Sequence, residues 1–118
     1  MSNFSAEQRN ADQGDFFFAK FHDLSTGQPF PHPVFVVGKN GDSNDEEDVI
    51  VCKCTSHSNR SDYDIPVLLK KETVVRTNKL YTIRRDMLQF KIRHNLDSLI
   101  ISSILDSVEK AVKKSSHP

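Results

Sequence analysis

The 118 residues predict a mainly β domain, a small SH3-like antiparallel barrel with one C-terminal α-helix. Short aromatic or β-branched runs recur between turn-forming residues, as small antiparallel sheets require. Near the C-terminal end the apolar residues instead return every three to four positions, the period of a helix face. Charged residues make up 27% and hydrophobic residues 36% of the chain, which fits a globular domain and excludes collagen-like or wholly disordered chains.

The elements follow in order. Residues 1–14 hold one large apolar side chain, Phe4, among polar ones and predict a flexible arm, ahead of a single domain over residues 15–114 and a tail at 115–118. Phe16-Phe17-Phe18-Ala19-Lys20-Phe21, Pro33-Val34-Phe35-Val36-Val37-Gly38 and Asp48-Val49-Ile50-Val51-Cys52-Lys53-Cys54 are the first three strands. Between the first two, His22 to His32 carries Pro29 and Pro31 and runs on to Pro33; proline limits ladder pairing, so this stretch predicts a loop. Asn40-Gly41 is a strong turn dipeptide and opens an acidic hairpin loop that runs to Asp48. A calcium loop starting at Asp42 would need Gly sixth and an acidic residue twelfth; Glu47 and Lys53 stand there instead.

Tyr63, Ile65, Val67 and Leu69 alternate onto one face of a fourth strand, and Val74 to Ile83 forms a longer fifth. Leu88, Phe90 and Ile92 alternate with Gln89, Lys91 and Arg93, which predicts a half-exposed strand with a basic outer face. After Asn95, a candidate N-cap, Leu96, Ile100, Ile104 and Val108 recur every four residues, with Leu99, Leu105, Ala111 and Val112 widening the stripe. Closing six short strands into a barrel would remove their exposed edges.

The formal net charge of zero conceals an asymmetry. Residues 1–59 carry 4 Lys+Arg against 9 Asp+Glu, and residues 60–118 carry 12 against 7. A basic half gathered on one surface would hold a polyanion; charges that simply cover solvent faces are the ordinary alternative. The length excludes a two-domain enzyme, and no uninterrupted apolar run exceeds four residues, which predicts a cytoplasmic chain without membrane spans and with reduced thiols.

The tightest chemical cluster is Cys52-Lys53-Cys54-Thr55-Ser56-His57. On a strand both cysteines share a face with Ile50, so two buried thiols are expected rather than a zinc site, which would need a second pair of ligands. Thr55 and Ser56 end that strand, where hydroxyls either face a ligand's phosphate oxygens or form a turn.

The order of these segments resembles the PemK/MazF family of toxin ribonucleases over roughly residues 14–108. Gly14-Asp15-Phe16-Phe17 is similar to the family's opening strand, and His32-Pro33-Val34-Phe35-Val36-Val37 to its Arg-Pro-Val-Leu-Val-Val strand. Val49 to Ser56 matches its strand ending in Thr-Ser. Val74-Val75-Arg76-Thr77-Asn78-Lys79-Leu80-Tyr81-Thr82-Ile83 is close to its arginine-bearing strand. His32 replaces the usual arginine before proline, Asn78 replaces an aspartate of some members, and the frequent Gly-Leu before the arginine strand is missing.

The resemblance implies an SH3-like barrel, usually dimeric, that cleaves single-stranded RNA without a metal or other cofactor and is neutralised by an antitoxin protein. It implies that Arg76 stabilises the phosphate or protonates the leaving oxygen and that Thr55 and Ser56 hold the scissile phosphate; Arg76, His32 and Thr55 are expected to be catalytic, and Ser56, His57, Arg60, Asn78 and Lys79 to contact the RNA. Asparagine takes no proton, so a base must be sought elsewhere, with His32 as the candidate. A catalytically weak relative that binds RNA or a protein partner through the same surface is the alternative. A peptide-groove adaptor is disfavoured by a chain with no Trp and only 2 Tyr.

Overall fold

A computed structural model of the chain describes residues 4–22, 29–38, 46–56 and 61–113. Its elements are α1 (Ala6–Arg9), β1 (Phe16–His22), β2 (Pro29–Gly38), β3 (Asp48–Thr55), β4 (Asp64–Leu68), β5 (Glu72–Arg84), β6 (Leu88–Ile92) and α2 (Ser98–Val112), with a 3-10 turn at Arg85–Met87. The six strands form one antiparallel sheet in the order β4-β5-β3-β2-β1-β6. The mainly β class with a C-terminal helix is therefore as the sequence predicts.

Both faces of the central strands are covered, which explains their unbroken apolar runs. Strand alternation sends Phe16, Phe35, Cys52, Cys54, Val67 and Val75 to one face, where Ile104 and Val108 of α2 complete the cluster. Phe16 and Phe35 meet edge to face there, with ring centroids 5.1 Å apart, a geometry that adds about 0.5–1.5 kcal/mol to their burial. The opposite face gathers Phe17, Ala19, Val34, Val36, Val49 and Val51 with Ala11 and Leu88.

Four expectations are corrected. The first concerns the prolines. Of the stretch expected as loop, His22 belongs to β1 and Pro29 to His32 to β2, with His32 paired to Ala19 of β1, while residues 23–28 lie outside the described residues. Val36 donates to the Asp15 carbonyl at 2.8 Å and accepts from the Gly14 N–H at 2.9 Å, so the even-numbered residues of β2 turn their backbone groups toward β1. Pro29, Pro31 and Pro33 then turn the side that lacks an N–H away from β1, and pairing with β3 begins only at Val34 and Lys53. Gly14 supports this entry with φ +95°, a conformation that favours glycine.

The second concerns Leu88, which does not share a face with Ile92. A register break between Phe18 and Ala19 places Phe18 against Phe90 but Ala19 against Leu88. The break sends Leu88 into the cluster opposite α2, whereas Ile92 packs on the α2 side. Phe90 stays half-exposed against Phe18, with centroids 4.9 Å apart.

Third, Asp97 and not Asn95 caps α2, its Oδ1 accepting from the Leu99 N–H at 2.7 Å. The buried stripe narrows to Ile104, Ser107 and Val108, while Leu99 and Val112 are exposed.

Finally, residues 4–14 are docked rather than loose. Ser5 and Gln8 form a capping box on α1, and Phe4 and Ala11 are buried. Arg85 is almost wholly enclosed, and its Nη1 donates to the carbonyls of Gln8 at 2.9 Å, Arg9 at 3.3 Å and Ala11 at 3.0 Å. A cation thus meets the carbonyl end of α1, where it is electrostatically favoured. The acidic loop expected after Asn40 lies outside the described residues as far as Asp45.

Candidate active site on one face of the sheet

β5 is bent where its functional residues lie. Cys52 of β3 pairs with Leu80 and Cys54 with Val75, so Arg76, Thr77, Asn78 and Lys79 stand opposite Lys53 alone. Extra residues on one strand bend it and re-aim its side chains. Thr77 holds the bend: its N–H and its Oγ1 donate to the Tyr63 carbonyl at 3.0 and 2.5 Å, and its Oγ1 lies 2.6 Å from Ser107 Oγ on α2.

Arg76 is buried. Its Nη1 donates to Asp64 Oδ2 at 2.9 Å, and the side chains of Arg76 and Asp64 are 8% and 1% exposed. The two residues are direct partners across β4 and β5. The turn that joins these strands folds about Lys70, so residues six places to either side face each other.

Register places Thr55 on the same face as Arg76. Thr55 pairs with Val74, which precedes Arg76 by two on the same side of β5, so the two are diagonal neighbours at roughly 7–8 Å between backbones. The β2–β3 register, carried two residues beyond Val34 and Lys53, brings His32 level with Thr55. His32 and Thr55 are both half-buried. His32, Thr55 and Arg76 thus share one face, away from α2.

The remaining candidates separate. Ser56 is exposed at the end of β3, and Asn78 and Lys79 are exposed on the bend. Arg76 is buried, whereas Asn78, two residues further along the bend, is exposed. His57 and Arg60 lie outside the described residues. Cys52 and Cys54 are fully buried, as expected, and burial pushes the Cys52 thiol up to about 12 and raises Cys54 as well, with the neighbouring Cys52 adding to the latter. Both stay protonated and unreactive near neutral pH. A separate cleft of about 460 Å³ opens between β4 and α2, lined by Tyr63, Ile65, Asp106 and Lys110 among others.

Sequence reasoning missed Asp64, Thr77 and Ser107. A signal existed for the first: with the turn centred on Lys70, Asp64 and Arg76 are opposite charges at matching positions of a hairpin.

The profile of PemK-like, MazF-like toxins of type II toxin–antitoxin systems matches residues 12–115. The chain belongs to this family. No curated protein matches it in sequence. Solved structures show the same fold at low identity. A mycobacterial endoribonuclease in complex with its cognate antitoxin is 15% identical with a TM-score of 0.67, covering 86% of this chain and 94% of that one. A second mycobacterial endoribonuclease is 14% identical with a TM-score of 0.68, covering 94% and 95%. MazF in a MazE–MazF structure from Deinococcus radiodurans is 11% identical with a TM-score of 0.65, covering 89% and 97%. As a PemK/MazF member the chain is a toxin of a type II toxin–antitoxin system, and Arg76, Thr55 and Ser56 stand within the matched segment.

Proposed function

We propose that this toxin is an endoribonuclease that cleaves single-stranded RNA without a metal, through Arg76, His32 and Thr55. The observation that carries the reading is the common face of these three residues, which converge from β5, β2 and β3. Attack of a ribose 2′-oxygen on the adjacent phosphorus forms one P–O bond and breaks the bond to the 5′-oxygen. It needs a group to take the 2′ proton, a group to give a proton to the leaving oxygen, and a cation for the charge that builds on the phosphate.

Arginine stays charged and supplies the cation; an enclosed guanidinium acts more strongly than a solvated one. Histidine supplies proton transfer near neutral pH. The Thr55 hydroxyl donates to a phosphate oxygen. Ser56, His57, Arg60, Asn78 and Lys79 hold the flanking strand, the exposed members contacting backbone or bases. Relatives solved with their antitoxins support an antitoxin protein as the partner of this chain. A homodimer would deepen a shallow groove by symmetric pairing. Among the described residues no helix is long and apolar enough to cross a membrane; the cytoplasm is the compartment in which a toxin that cleaves RNA meets its substrate.

The test is incubation of the purified protein with a mixed-sequence RNA in excess chelator, with the new ends identified chemically. A 2′,3′-cyclic phosphate and a 5′-hydroxyl are expected. Activity that vanishes with chelator and returns with a divalent cation would overturn the metal-free mechanism, and intact RNA under all conditions would overturn the enzyme.

A further inference from the structure

Resting on that reading, we infer that Asp64 is the positioning residue of Arg76, fixing one edge of the guanidinium so that the other edge meets the phosphate. Among the described residues, the bond from Nη1 to Asp64 Oδ2 at 2.9 Å is the hydrogen bond that the Arg76 guanidinium makes. A guanidinium has five donors in a rigid plane, so one anchored nitrogen orients the Nε and Nη2 edge as well. The exposure is unequal in a telling way. The Asp64 side chain is 1% exposed and that of Arg76 8%, so what access the pair has is through the arginine.

The carboxylate is itself held in place. Asp64 sits in register with Arg76 across β4 and β5, and its N–H donates to the Ser61 carbonyl at 3.2 Å. On the other strand Thr77, the next residue after Arg76, is tied to Tyr63, the residue before Asp64. Both ends of the pair are therefore anchored by backbone, and the side chain with most freedom in solution is the one whose geometry the reaction needs. An arginine without this partner would sample several rotamers, and small misplacements cost rate rather than binding.

Asp64→Asn keeps an acceptor at the same place with the charge removed, and Asp64→Leu removes both. Each is compared with wild type for kcat and KM on a short single-stranded RNA, with thermal unfolding recorded alongside. The expected result is a fall in kcat of roughly 10–100-fold for Asp64→Asn, more for Asp64→Leu, and little change in KM. Folded variants with wild-type kcat would overturn the inference while leaving the ribonuclease reading intact; wild type that neither cleaves nor binds RNA would bring down both.

If the variants fail to fold, side-chain ¹⁵N resonances of Arg76 in wild type decide the matter. On adding an uncleavable oligonucleotide with a 2′-deoxy scissile sugar, Nε and Nη2 should shift while Nη1 holds. Movement of Nη1 with the ligand, showing that Arg76 leaves Asp64 to bind, would overturn the inference.

Discussion

Thr77 Oγ1 and Ser107 Oγ lie 2.6 Å apart and tie the bend of β5 to α2. Thr77 spends its single hydroxyl proton on the Tyr63 carbonyl, so Ser107 is the donor in the pair. Helix, bend and the strand end before Asp64 are thus joined through one threonine.

Removal of either hydroxyl should destabilise the fold. Ser107→Ala should cost about 1 kcal/mol and Thr77→Val about 1–3 kcal/mol, since the second leaves Ser107 without its acceptor and takes one bond from Tyr63. Because the two share a bond, the double variant should lose less than the sum of the singles. Urea unfolding of all four proteins measures this; strict additivity would mean that the contact carries no coupling.

The N-terminal segment should be part of the stable fold. Deleting residues 1–11 removes the carbonyls that hold the Arg85 cation and uncovers apolar surface beside Leu88. The lost hydrogen bonds to a charged group are worth about 1.5–3 kcal/mol, and the uncovered apolar surface adds to this, so the midpoint of thermal unfolding should fall by several degrees. An unchanged midpoint would mean that the segment contributes nothing.

Loss of Arg76 should act twice. Arg76→Ala takes the arginine from the enclosed Asp64 carboxylate, which should destabilise the fold by about 1–3 kcal/mol, and it should lower RNA cleavage by roughly 10²–10³-fold in the protein that remains folded. His32→Ala should flatten the limb of the pH–rate profile near neutrality. His32→Arg should retain activity only if that position supplies charge rather than a proton. Rates from about pH 5 to 9 span the titration of a histidine and separate these roles; variants that all cleave like wild type would place the chemistry elsewhere.

Alkaline pH should weaken the fold through the buried thiols. Burial raises the folded pKa of Cys52 from 9.0 to about 12, so the native state holds its proton more tightly than the unfolded chain does. The stability this contributes is intact below about pH 9 and is lost as pH rises from there toward 12. Unfolding free energy should therefore fall over that window, and less steeply in Cys52→Ala, whatever its lower starting stability. Equal slopes in the two proteins would show that the thiol does not ionise on unfolding.

Local pattern carried much of the fold. The runs at Phe16, Val34 and Val49 became β1, β2 and β3 because aromatic and β-branched residues suit a sheet covered on both sides. Ile104 and Val108 became the buried stripe of α2 because helical periodicity needs no knowledge of the partner surface. The placement of Leu88 was hidden, since a register break between β1 and β6, with Gln89 as the extra residue, moves it across the sheet, and such a break belongs to the strand pair, not to either strand alone. The prolines misled for a related reason: a missing N–H forbids a strand only on the side where a neighbour pairs.

The candidate site divides along the same line. The sequence by itself determined the residue types, an arginine on a strand, a Thr-Ser at a strand end and a histidine before proline, and through them the family. Tertiary structure alone decided that Arg76 is enclosed against Asp64, that Asn78 is exposed, and that Arg85 is enclosed against the carbonyl end of α1. Strand periodicity is a property of neighbouring residues and survives in the linear chain. Burial of a charge depends on which distant carboxylates and carbonyls the fold delivers to it, and those partners are chosen only when β4, β5 and the N-terminal segment come together.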